Sequence, residues 1–139
     1  MSDVENTARQ YLESFNSRNW DKMRSFLHVD YTYTGGDGQV QRGPAAGIAV
    51  AQMWANAFSD AKVDIRQIHV AGGVAIVEFQ ASGTQNGELM GIAATGRKVT
   101  MPVCMVVEVK DGKIVAEREY MDMAHMMQQL GVMPVPAHA

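Results

Sequence analysis

Apolar residues recur at helical spacing through the first sixteen positions. Val4, Ala8, Tyr11, Leu12 and Phe15 fall at i, i+4, i+7, i+8 and i+11, which gathers them on one face of an amphipathic helix. Ser2 or Asp3 can cap it, and acids in its first turn complement the dipole. Ser17-Arg18-Asn19 breaks the pattern, and a second short helix follows with Trp20, Met23, Phe26 and Leu27 on its apolar side and Asn19 as cap. Residues 30–34 alternate Tyr31 and Tyr33 with smaller polar residues, as a short strand does. Gly35-Gly36-Asp37-Gly38 reads as a loop. Gly43-Pro44 then opens a third helix that buries Ile48, Ala51, Met53, Trp54, Ala57 and Phe58.

From Val63 the period shortens to two. Val63 and Ile65 alternate, and Ile68 and Val70 resume one step out of phase, which predicts a bulge near Arg66-Gln67. Gly72-Gly73 turns the chain into a strand over 74–82. Residues 98–109 give the clearest strand, with Val99, Met101, Val103, Met105, Val107 and Val109 on one face. Thr100, Cys104 and Val106 share the other, mixed face, a candidate dimer surface. Asp111-Gly112 is a hairpin turn into a last strand over 113–121. Regular alternation there sets Glu117 and Glu119 on one face and Ile114, Ala116, Arg118, Tyr120 and then Asp122 on the other. A final helix carries Met123, Met126, Met127 and Leu130 and ends at Gly131. Helices first and strands later predict an α+β fold with helices packed on one face of a sheet.

Composition narrows the function. The chain has 139 residues, room for one domain and one core, with 47% apolar and 19% charged residues. A net charge of -3 with scattered Lys and Arg argues against a nucleic-acid binder, which needs a basic stripe. There is no secretory signal and no apolar run long enough to span a bilayer, so the expected location is cytoplasmic, away from membranes. Cys104 is the single cysteine and has no internal disulfide partner. His28, His69, His125 and His138 lie far apart without metal-ligand spacing, so no metal site is expected. No phosphate loop, nucleophile elbow or dinucleotide fingerprint is present. Eleven methionines suit either an adaptable apolar cavity or an ordinary core.

Two stretches carry a resemblance. One is Gly83-Thr84-Gln85-Asn86-Gly87-Glu88, continuing through Thr95-Gly96-Arg97-Lys98-Val99. The other is Asp111-Gly112-Lys113-Ile114-Val115, Arg118-Glu119-Tyr120-Met121-Asp122 and Gln129-Leu130-Gly131. Their order and spacing resemble the SnoaL-like polyketide cyclases of the nuclear-transport-factor-2-like superfamily, over roughly residues 3–133. Gln85 stands where that family usually has His, and Ala93 where Pro is common. Glutamine cannot shuttle a proton near neutral pH.

The resemblance implies a single domain over 1–133 with a loose tail at 134–139. It implies a cone-shaped, strongly curved antiparallel sheet, a cystatin-like α+β barrel packed against three N-terminal helices and closed by a short C-terminal one. It also implies a pocket for a small apolar or polycyclic ligand, a homodimer and no cofactor. Asp122 matches the aspartate read in the cyclases as general acid/base for an aldol ring closure; a carboxyl group in an apolar pocket has its pKa raised toward working pH. Asp122 also immediately precedes a helix, where Asp is a preferred cap. Arg118 and Tyr120, on the same expected face, are candidate substrate contacts, as are Tyr11, Tyr33, Trp54, Phe58, Gln85 and Met105. A tyrosine at the place of Tyr11 supplies an oxyanion donor in the related ketosteroid isomerases, but no carboxylate stands near Tyr33-Thr34, where their base would fall. The expected function is cofactor-independent acid/base catalysis on an apolar carbonyl compound. A non-catalytic binder of an apolar ligand and a dimeric scaffold without a ligand are the alternatives.

Overall fold

The structure is a computed structural model that describes residues 3–134. Ser2, one of the two expected caps, and almost all of the expected tail lie outside the described residues. Along the chain come α1 (Asp3–Asn16), α2 (Trp20–Ser25), β1 (Leu27–Thr34), β2 (Val40–Arg42), α3 (Pro44–Ala57), β3 (Lys62–Ala71), β4 (Val74–Thr84), β5 (Lys98–Lys110), β6 (Lys113–Met121) and α4 (Met123–Gln129). The strands form one six-stranded sheet in the order β2-β1-β6-β5-β4-β3. Neighbours run antiparallel except β1 and β6, which are parallel. No helix of the described residues is long and apolar enough to cross a membrane.

Helices α1 and α3 lie on one face of the sheet, α1 against β3, β4 and β5 and α3 against β1 and β2, with α2 wedged between them. The apolar stripe of α1 supplies Ala8, Tyr11, Leu12 and Phe15 to the core. The inner faces of the central strands answer with Ala75, Val77 and Phe79 from β4 and Val99 through Val107, in alternation, from β5. Two side-chain amides fasten elements to exposed strand backbone. Asn16 exchanges two 2.8 Å hydrogen bonds with the backbone of Val63, and Gln129 does the same with Thr100 at 3.0 and 3.1 Å.

Two bulges decide which side chains face inward. Arg66 is the extra residue of the first, because Ile65 pairs with Phe79 and Gln67 already with Glu78. The expected phase change is therefore present, and Val63, Ile65 and Ile68 all turn toward the helices. The second bulge is unexpected. Glu108 pairs with Ala116 but Val109 with Ile114, so Val115 has no partner of its own. A one-residue slip exchanges the two faces of every residue beyond it. Ile114 and Glu117 are in consequence both buried on the inner face.

Candidate active site

Past the Val115 bulge, the inner face of β6 presents acids where its neighbours present hydrocarbon. Register sets Ala75, Val107, Glu117 and Tyr33 in one row across four strands, and Val77, Met105 and Glu119 in the next. Glu117 is only 3% exposed. Its Oε1 accepts two hydrogen bonds of 2.7 Å, one from the Tyr11 hydroxyl on α1 and one from the Tyr31 hydroxyl on β1. Burial, and after it the charge of Glu117, push both phenols well above the ordinary tyrosine range, so they remain protonated donors.

Glu119 sits two residues further on, about 7 Å along the strand. It lines the cavity described below, and its carboxyl group is pushed well above the usual carboxylate range. Desolvation is the main cause, followed by the negative charge of Glu117 and a hydrogen bond to it. Two neighbouring carboxyl groups in an apolar setting share a proton rather than both ionise. Here Glu119 is the group whose proton is held, while the Oε1 of Glu117 is occupied by two phenols.

These groups open onto a cavity of about 120 Å³, widening to about 850 Å³ when its solvent-open mouth is counted. Its walls are mainly apolar, from Leu12 and Phe15 on α1, Val50 and Trp54 on α3, and Phe79 and Met101 on the sheet. Trp54 and Phe58 stack with ring centroids 6.4 Å apart. Among the described residues no group of three His, Cys, Asp or Glu is placed to hold a metal ion.

The expected site residues divide. Tyr11, Tyr33, Trp54 and Phe58 line the cavity, although the Tyr11 hydroxyl is taken up by Glu117. Met105 is fully buried in the core and does not line it. Arg118 and Tyr120 lie on the opposite face of the sheet. Arg118 pairs with Glu108 at 2.6 Å, which raises its pKa, and Tyr120 is 55% exposed. Asp122 is exposed and caps α4, its carboxylate accepting from the His125 backbone N–H at 3.0 Å. The apolar environment expected for Asp122 belongs instead to Glu119. For Arg118 and Tyr120 the cause of the correction is the Val115 bulge, whereas Asp122 lies past the end of β6 as the cap of α4. One signal for the bulge was present: Val115 and Met121 flank Glu117 and Glu119 at even spacing, an apolar-acid-acid-apolar face that suits a lined cavity as well as a solvated edge.

Gln85 is not in the cavity either. It is 0% exposed, and its amide organises residues 85–97. Its Nε2 donates to the carbonyls of Gly87, Ile92 and Ala93 at 3.2–3.3 Å, and its Oε1 accepts from the Thr95 backbone N–H and hydroxyl. The other motif residues are likewise structural. Gly131 takes φ +76° after α4, where an added Cβ would lie 2.9 Å from Cζ of Arg97. Gln129 ties α4 to β5, and Leu130 is buried beneath.

The sequence pattern of the SnoaL-like polyketide cyclases matches residues 5–130. The chain belongs to that family. It is 28% identical over 134 residues to aklanonic acid methyl ester cyclase DnrD of Streptomyces peucetius, covering 94% of this chain and 92% of DnrD. Among solved structures, a SnoaL-like protein from Jannaschia sp. CCS1 superposes with a TM-score of 0.88 at 18% identity, over 95% of this chain and 94% of that one. IdmH from Streptomyces antibioticus does so with a TM-score of 0.81 at 27% identity, over 93% and 99%.

Proposed function

We propose that this SnoaL-like protein is a cofactor-independent enzyme of the cyclase or isomerase type, moving a proton on an apolar carbonyl compound through Glu119. The observation that supports it most is the pair of inward acids on β6, one fixed by two phenols and the other kept protonated on the wall of an apolar cavity. A carboxylic acid that holds its proton near neutral pH is suited to general acid/base work. Glu119 gives its proton to the carbonyl oxygen of the substrate, which makes the adjacent C–H acidic and leads to an enol. The carboxylate so formed takes a proton from the adjacent carbon, and the group ends the cycle as it began. The cyclase activity of DnrD fits the same proton chemistry.

The test needs no natural substrate. Exchange of the C1 hydrogens of 2-tetralone in D2O, followed by proton NMR, reports removal of a proton beside an apolar ketone. The parent protein should accelerate it, and Glu119→Gln should lower the protein-dependent rate on the order of 100-fold or more. Equal rates for the two would leave the cavity as a binding site without this chemistry.

A further inference from the structure

Tyr33 is the buried polar group on the cavity wall that the proton transfer leaves unexplained. It is 7% exposed and lines the cavity, yet its hydroxyl makes no hydrogen bond to any described residue. Its near neighbours differ: the Tyr11 and Tyr31 hydroxyls both end on Glu117. With no protein group to bond, the hydroxyl adds nothing to the packing that Phe would not supply equally well. The oxygen is not sealed in, since it keeps accessible surface of its own. Gly35 lies beside the phenol, where an added Cβ would sit at an ordinary contact distance of 3.5 Å from the Tyr33 hydroxyl.

The charged groups facing this phenol are all acidic. Burial raises its pKa most, and Glu119, Glu117 and Asp37 raise it further. Tyr33 is therefore a hydrogen-bond donor at any working pH and not a base. Glu117 and Asp37 repel an oxygen that carries a full negative charge on arrival. They tolerate a neutral carbonyl whose charge builds only during reaction.

We propose that the Tyr33 hydroxyl is the donor that receives the carbonyl oxygen of a neutral, apolar, enolisable ketone, beside the proton carried by Glu119. This rests on the reading of Glu119 given above and adds the group that orients the substrate at it. A donor aimed at developing charge in a site poor in water stabilises the enolate more than the ketone. Tyr33 and not Tyr11 fills this role, because the Tyr11 hydroxyl is engaged by Glu117.

The test compares two fluorescent probes, 2-naphthol and naphthalene, which share a ring system and differ by one oxygen. Kd is measured for each with the parent protein, Tyr33→Phe and Glu119→Gln. The parent should prefer 2-naphthol, and Tyr33→Phe should weaken 2-naphthol about tenfold with naphthalene unchanged, one hydrogen bond's worth. A preference that survives in Tyr33→Phe but disappears in Glu119→Gln overturns the assignment of Tyr33 and leaves Glu119 standing. Equal weakening of both probes in Tyr33→Phe also overturns it, since the ring and not the hydroxyl would then matter. Failure of both probes to bind the parent overturns the cavity as a ligand site, and the role of Tyr33 with it.

Discussion

Gly47 yields its side-chain space to the ring of Tyr31. A Cβ at position 47 would fall 2.6 Å from Cε1 of that ring and 2.9 Å from its hydroxyl. The glycine of α3 therefore sets where Tyr31 lies, and with it the 2.7 Å bond to Glu117. In a helix interior Gly→Ala ordinarily stabilises by about 1 kcal/mol. Gly47→Ala should do the reverse here and cost about 1–3 kcal/mol as the ring is displaced. Urea unfolding decides it, with Gly36→Ala as a control, because nothing lies within 4 Å of an added Cβ there.

Two tyrosines two residues apart on β1 should respond oppositely to loss of their hydroxyls. Tyr31→Phe removes a buried bond to a charged oxygen and should cost about 1.5–3 kcal/mol. Tyr33→Phe removes a hydroxyl with no protein partner and should leave stability within about 0.5 kcal/mol of the parent. Similar losses in both variants would contradict the hydrogen-bond assignment.

The raised pKa of Glu119 makes stability depend on pH in a definite direction. Folded Glu119 holds its proton above the pH at which the unfolded chain releases it, so the native state binds more protons and stability falls as pH rises through that window. Glu119→Gln has no such proton to lose. Relative to the parent its stability, followed by thermal or urea unfolding, should climb from about pH 5 upward, by at most ~1.4 kcal/mol per pH unit for a single group. A gap that stays constant with pH would mean that Glu119 ionises like a surface carboxylate.

Gln85→Ala should be among the more damaging single changes outside the core. It would strip Thr95 and three carbonyls of their buried partner, at a cost of about 2–4 kcal/mol. Amide hydrogen exchange should rise first between residues 85 and 97. Uniform protection in the variant would argue that the amide does not organise that stretch.

Asp122 separates capping from chemistry. Asp122→Asn keeps a cap and should match the parent in stability, whereas Asp122→Ala should lose about 1 kcal/mol. Neither should slow exchange of 2-tetralone. A large slowing in Asp122→Asn would return the proton carrier to the position first expected from the sequence.

Much of the fold was legible in the residues because it rests on periodicity. The stripe of α1, the alternation of β5, the Arg66 bulge and the Asp111-Gly112 turn each leave a local mark. The edge strand β2 left none, being three exposed residues that pair only with β1. The site was legible in part. Tyr11, Tyr33, Trp54 and Phe58 sit on apolar faces that periodicity can find. Regular alternation set the acids of β6 on the face opposite Ile114, Arg118, Tyr120 and Asp122. The bulge after Ile114 shows only in the pairing with β5, a contact between strands that spacing along one strand does not record. The partner of Gln85 was hidden for a similar reason, as its amide is satisfied by backbone up to ten residues away.

The Val115 bulge also bears on how such a pocket can change by descent. Loss of that single codon would pull Ala116 onward back by one step and exchange the faces of β6. Arg118 and Tyr120 would point into the cavity while Glu117 and Glu119 turned to the outside, an inversion of its charge that substitutions could reach only through several acid-by-acid replacements. In this chain a one-residue insertion or deletion in the last strand is thus a shorter route to a changed cavity wall than point changes within it.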